Sequence, residues 1–176
     1  MGKTYKEKLN EVAAFVFDFD GVMTTGGIAF SSSGERIVEF SAKDVYALER
    51  AVAEGFPVAV VARDLPEAVD GFLGSLGVKL IPEIKGKHPD ILASFMREHN
   101  LSPDRILYMG DDIPDIALMT AFGMSACPSN AAEEVKSISD YVSLERGGAG
   151  AIRDVIEQTL KVRNRWWRAE ESDALP

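Results

Sequence analysis

Four short apolar runs punctuate this chain: Phe15-Val16-Phe17, Val58 to Val61, Ile106 to Met109 and Met124 to Cys127. Each is too brief for a helix and apolar on both faces, as strands of a parallel sheet covered on both sides are. The segments between them, Val45 to Glu54, Leu65 to Leu76, Pro89 to Asn100 and Asp115 to Phe122, carry helical spacing. Gly55, Gly77, Asn100 and Gly123 stand where such helices stop. Alternating strand and helix predicts an α/β fold, a Rossmann-like doubly wound parallel sheet with helices on both faces. One segment breaks the alternation. Ile28 to Phe40 holds two β-like runs around a Ser-Ser-Gly turn, which predicts a small β-hairpin inserted at about residues 26–41.

With 176 residues, 46% of them hydrophobic, the chain has enough material for one packed core and too little for two. Residues 1–176 are therefore expected to form a single domain, with a tail from about 161 to 176 that is basic and aromatic, then acidic. The formal net charge of -9 argues against nucleic acid or an anionic membrane as partner, since neither offers a cation to an acidic surface. An acidic chain that binds a phosphorylated metabolite needs local positive charge, from a metal or from a few placed Lys and Arg. The lone Cys127 rules out an internal disulfide and reads as a small buried hydrophobe in a reducing compartment. MGKTYKEKLNEV has no apolar signal-like run, and no stretch approaches the ~18 apolar residues of a membrane span. The expectation is a cytoplasmic protein.

The first apolar run ends in FVFDFDGVMTTGG, from Phe15 to Gly27. Two aspartates one residue apart repel, and burying them without a partner is expensive. A second acidic group, Gly110-Asp111-Asp112 with Asp115 close behind, follows the third run. Ligands of open α/β sheets bind at the carboxyl ends of strands. Two carboxylate groups meeting there form an oxygen-rich cage suited to Mg²⁺, which takes carboxylates, waters and substrate phosphate. Solvated turn aspartates are the plain alternative. Their placement directly after two apolar strands weighs against it.

DFDGVMT, a later lysine and GDDIPD together resemble the haloacid dehalogenase phosphohydrolase superfamily, over nearly the whole chain. The resemblance implies that Asp18 is the nucleophile taking the phosphoryl group and that Asp20 is the general acid and base. It implies Mg²⁺ held by Asp18, Asp20 (through its backbone carbonyl) and Asp111, with Asp112 and Asp115 in support. Lys87, in EIKGKHPD, matches the lysine that bridges nucleophile and phosphate; Lys85 is its neighbouring competitor.

About two dozen residues separate the first aspartates from the Val45 helix, too few for the cap domain most members carry. GVMT, the hairpin with Gly34-Glu35, Ala42-Lys43-Asp44, ILYMGDDIPDIALM and GGAGAIRDVIEQTLKV are similar to the capless branch of the 3-deoxy-D-manno-octulosonate 8-phosphate phosphatases. That branch implies a homotetramer in which a neighbour's hairpin and the tail at Arg163–Trp167 help close each site. Its substrate would be a sugar-acid phosphate, the eight-carbon acid of lipopolysaccharide precursor synthesis. Lys43, Asp44, Val61, Ala62 and Arg63 are the expected substrate and phosphate contacts.

Two positions depart from the branch. Val61 stands where a phosphate-binding Thr or Ser is expected, and Thr24-Thr25-Gly26 replaces Thr-Asp-Gly. Three other readings stay open: the nine-carbon 2-keto-3-deoxynononate 9-phosphate as substrate, a degenerate phosphatase fold acting as a binding subunit, and a receiver-type signalling domain.

Overall fold

The computed structural model describes residues 3–63, 65–83 and 90–167. All four apolar runs form strands. They are β1 (Ala14–Asp18), β4 (Val58–Ala62), β6 (Ile106–Met109) and β7 (Met124–Cys127). Two strands escaped the sequence reading, β5 (Val78–Pro82) and β8 (Tyr141–Val142). In β5 the apolar run is broken by an exposed Lys79, as suits a strand at the sheet's edge; β8 is two residues long. The inserted hairpin is β2 (Ala29–Phe30) paired antiparallel with β3 (Arg36–Ile37).

The six-stranded sheet has the order β5-β4-β1-β6-β7-β8, and every neighbouring pair is parallel. Counted along the chain, those strands run 3-2-1-4-5-6, so the winding reverses between β1 and β6. This is the doubly wound arrangement the alternation predicts. Phe17 lies opposite Met109 and Asp18 opposite Val61, which brings the carboxyl ends of β1, β4 and β6 together.

Alternate residues of each strand feed two separate cores. Phe15, Phe17, Val58, Val60, Leu107 and Met109 pack on one face with Leu48, Leu73 and Ile156, from helices α2 (Ala42–Ala53), α3 (Glu67–Ser75) and α7 (Ala151–Lys161). Ala14, Val16, Ala59, Val61 and Tyr108 pack on the other with Phe95, Leu118 and Val135, from α4 (Ala93–Glu98), α5 (Ile116–Ala121) and α6 (Glu133–Ile138). A buried Phe, Leu or Val contributes about 1.5–3 kcal/mol, so each face is anchored by its strands. The first helix, α1 (Tyr5–Glu11), precedes the sheet and buries Leu9. No helix among the described residues is long and apolar enough to cross a membrane.

Gly55, Gly77 and Asn100 take the left-handed backbone expected after α2, α3 and α4. Gly123 follows its helix as expected, but for another reason. It keeps an ordinary φ, and a Cβ there would stand 1.8 Å from the carbonyl oxygen of Asp104. The close passage of that loop excludes a side chain.

The stretch after α7 is held to its own domain. Arg163 donates to the carbonyls of Leu9, Asn10 and Val12, and Arg165 Nε donates to Glu54 Oε2 at 2.6 Å. Trp166 stands edge-on to Tyr46, with ring centroids 6.1 Å apart, and Arg153 covers its face. These side chains bind their own chain; residues 168–176 lie outside the described residues.

Candidate active site

Asp18 ends β1 and is followed by a tight loop, Phe19–Met23, in which Gly21 has φ 99°. Thr24 closes that loop. Its N–H and hydroxyl both donate to Phe19 O, and its oxygen accepts from Gly26 N–H at 3.2 Å. Across the switch point, Gly110 leaves β6 and hands over to Asp111. The loop at Gly148 pins the first one from behind, with its N–H donating to Val22 O at 2.9 Å.

Asp115 organises the β6 side. It is 7% exposed; Oδ1 accepts the Tyr108 hydroxyl at 2.8 Å, and Oδ2 accepts the N–H groups of Asp111 at 3.0 Å and Asp112 at 3.2 Å. Asp112 turns its own carboxylate to Ile113 N–H at 2.8 Å, capping the short turn Ile113–Asp115. Asp18, Asp111 and Asp115 thereby offer one oxygen each, all within 4.8 Å of one another.

Three carboxylates that close repel. Burial, then the Asp115 and Asp111 charges, hold the Asp18 carboxyl well above its ordinary range. Burial, with Asp115 and Asp112 beside it, pushes Asp111 up to about 7, and burial also raises Asp115. An all-oxygen set whose members resist ionising together is the donor chemistry of a hard divalent cation, and it fits Mg²⁺.

A cleft of about 180 Å³ opens over this cluster, and Asp18, Asp20, Val61, Ala62, Arg63 and Glu83 help to line it. Val61 is 1% exposed, and Arg63 Nε donates to Glu83 Oε2 at 2.6 Å. Asp20 is at the cleft, but its side chain is turned to the Arg36 guanidinium from the hairpin. The compact carboxylate trio is thus Asp18, Asp111 and Asp115, with Asp115 more central than the sequence alone suggests.

Lys43 and Asp44 are not brought to this cleft. Asp44 is fully buried and accepts from Gly150 N–H at 3.0 Å and Arg153 N–H at 2.8 Å, so it caps α7. Burial raises its carboxyl all the same. Lys43 borders a separate depression with Leu144, Glu145, Arg153 and Glu157. Lys87 and Lys85 lie outside the described residues.

Three residues at the site were not singled out from sequence: Tyr108, Glu83 and Arg36. Tyr108 carried a usable signal. A tyrosine in a fully buried strand needs a partner for its hydroxyl, and Asp115, six residues past the strand's end, was at hand. Glu83 follows the strand that went unread, and Arg36 acts across the hairpin, so neither had a local mark.

Residues 90–156 match the family model of the haloacid dehalogenase-like hydrolases. The chain is 27% identical over 161 residues to the 3-deoxy-D-manno-octulosonate 8-phosphate phosphatase KdsC of Haemophilus influenzae, covering 91% of this chain and 89% of that one. Its identity to KdsC of Escherichia coli K12 is 25% over 153 residues, with 87% and 81% covered. The crystal structure of the 3-deoxy-D-manno-octulosonate 8-phosphate phosphatase of Moraxella catarrhalis, in complex with magnesium ion, phosphate ion and a KDO molecule, superposes with a TM-score of 0.85. Its identity is 25%, and the match covers 96% of this chain and 95% of that chain.

Proposed function

We propose that this haloacid dehalogenase-like hydrolase is a Mg²⁺-dependent phosphatase acting on a sugar-acid phosphate, 3-deoxy-D-manno-octulosonate 8-phosphate, in lipopolysaccharide precursor synthesis. One observation carries the reading: Asp18, Asp111 and Asp115 converge at the winding switch in a chain similar to that branch over most of its length.

Asp18 Oδ attacks phosphorus while the bond from phosphorus to the sugar oxygen breaks, giving an aspartyl phosphate. Asp20, after taking up a proton from solvent, gives it to the departing sugar oxygen. It then takes a proton from water, which attacks the same phosphorus and frees Asp18 with inorganic phosphate. Asp18 and Asp111, with the Asp20 carbonyl, hold Mg²⁺, and Asp115 fixes the turn that presents Asp111. The bound cation supplies the charge that screens carboxylate from phosphate. Backbone N–H groups of Val61, Ala62 and Arg63, with the Arg63 guanidinium, receive the phosphate oxygens in place of the missing hydroxyl. Lys87 bridges nucleophile and phosphate. The same reading makes residues 1–176 one cytoplasmic domain that assembles as a homotetramer.

The nine-carbon 2-keto-3-deoxynononate 9-phosphate is the alternative substrate. Val61 is the observation that favours a binding subunit without turnover. Phosphate release from a panel of phosphorylated sugar acids, with and without Mg²⁺, separates these readings. The eight-carbon ester should be turned over fastest, only with metal, and Asp18→Asn should abolish turnover while leaving the fold intact. Activity of Asp18→Asn within tenfold of wild type would remove the nucleophile assignment.

A further inference from the structure

Beside the catalytic cleft lies a second hollow of about 200 Å³ at the base of the hairpin, bordered by Thr24, Thr25, Gly27, Arg36, Ile37 and Glu39. Arg36 belongs to its wall and reaches out of it to Asp20, which lines the catalytic cleft. The guanidinium also lies over the Phe19 ring, 5.7 Å from its centroid, and its side chain is 19% exposed. It is therefore a placed cation at the junction of two hollows, already in contact with a carboxylate.

The substrate class proposed above carries negative charge at both ends. Its phosphate belongs over Asp18. Its carboxylate then has to be held beside a cleft lined by Asp20, Asp111, Asp112 and Glu83, in a chain of net charge -9, and needs a cation there. Among the described residues lining the two hollows, the cations are Arg63 and Arg36. Arg63 stands at the end of β4, where the phosphate is received. Arg36 stands between Asp20 and the hairpin hollow.

We infer that Arg36 is the receptor for the substrate's carboxylate, and that the hairpin hollow takes the hydroxylated carbon chain next to it. The inference rests on the sugar-acid phosphatase reading. Asp20 holds the guanidinium in place until substrate arrives. As Asp20 turns to the leaving oxygen, the substrate's carboxylate takes its position on Arg36. A planar guanidinium binds either carboxylate through paired N–H donors, so the exchange keeps the charge compensated. The exposed hydroxyl of Thr25 and the carboxylate of Glu39 give the hollow partners for sugar hydroxyls.

The test uses full-length protein with Mg²⁺, comparing wild type, Arg36→Gln and Arg36→Lys. Calorimetry with the dephosphorylated sugar acid reads the carboxylate site without catalysis. Kinetics on the sugar-acid phosphate and on p-nitrophenyl phosphate, which has no carboxylate, reads selectivity. Arg36→Gln should weaken sugar-acid binding roughly 10- to 100-fold, the range of a charge-assisted hydrogen bond. It should lower the kcat/KM ratio of the acid over the aryl ester at least tenfold, chiefly through KM, with Arg36→Lys between. Equal losses on both substrates would mean that Arg36 acts only through Asp20 and would overturn the inference. So would a sugar-acid affinity that is absent in wild type or indifferent to Arg36→Gln. Arg36-dependent sugar-acid binding in a protein that hydrolyses no ester would instead overturn the phosphatase reading and keep this one.

Discussion

Gly21 lies so close to Asp111 that a Cβ on the glycine would stand 2.0 Å from Asp111 Oδ2. The loop leaving β1 therefore passes directly over the carboxylate delivered by β6, and the two halves of the site are fitted to each other. Gly21 also holds φ 99°, which costs a non-glycine residue about 1–3 kcal/mol. Gly21→Ala should push Asp111 out of the cluster, with a loss of metal affinity and at least a hundredfold loss of kcat/KM. Titration of Mg²⁺ by calorimetry checks this. A folded Gly21→Ala protein with wild-type metal affinity would contradict the close fit.

The acidic cluster also makes stability depend on pH in a particular direction. Asp111 is raised from 3.8 to about 7 by burial, then by Asp115 and Asp112. Between those values the folded state holds a proton that the unfolded chain has released. By linkage, its contribution to stability is full below about pH 4 and is lost as pH rises through about 7. Metal-free protein should accordingly gain more in melting temperature from Mg²⁺ at pH 8 than at pH 5, since the cation replaces the missing protons. Scanning calorimetry of wild type and Asp111→Asn checks it, and the variant should show a smaller difference. An equal Mg²⁺ gain at both pH values would refute it.

The parts of this arrangement that were legible in sequence are those written locally. Asp18 and Asp111 follow directly on apolar runs, so their positions at strand ends could be read from their neighbours. The exposed Lys79 hid β5, and with it Glu83. Asp44 was expected as a substrate contact because Ala42-Lys43-Asp44 is similar to the capless branch. Its partners are the backbone N–H groups of Gly150 and Arg153, more than a hundred residues away, and no periodicity announces such a pairing. The Arg36–Asp20 contact was hidden for a related reason: the folding back of the hairpin sets it, and spacing does not.

Val61 tests the main departure from relatives. It is Cα-paired with Asp18 and lines the cleft, yet its side chain is 1% exposed and packs with the α4–α6 core. Val61→Thr should raise kcat/KM by roughly one to two decades if its hydroxyl reaches the phosphate in the transition state. It should also lower stability by about 1 kcal/mol, because part of that hydroxyl's environment is apolar. Kinetics and melting temperature measured together separate the two effects. A lower or unchanged kcat/KM would mean that backbone donors and Arg63 have taken over the contact.

The last prediction concerns assembly. A two-stranded hairpin is marginal on its own, yet here Ile28, Phe30 and Ile37 are 71%, 64% and 53% exposed. Phe40, at the end of the same segment, behaves differently. It stacks on Phe72 with centroids 5.3 Å apart and stands edge-on to Phe19, so it anchors the base of the hairpin to its own domain. Three apolar side chains are left on a short ribbon beside the open cleft, where catalysis gains from excluding water. Packing hairpins around a symmetry axis buries them at about 1.5–3 kcal/mol each and covers the cleft at once. Light scattering should give a tetramer for wild type and smaller species for Ile28→Ser/Phe30→Ser/Ile37→Ser. Truncation after Trp167 should leave the tetramer intact, because Arg163, Arg165 and Trp166 stay in place on their own chain; cutting after Lys161 would strip those contacts and confuse fold with assembly. A monomeric wild type with full activity would end the shared-site idea, and a tetramer indifferent to the hairpin substitutions would move the interface elsewhere.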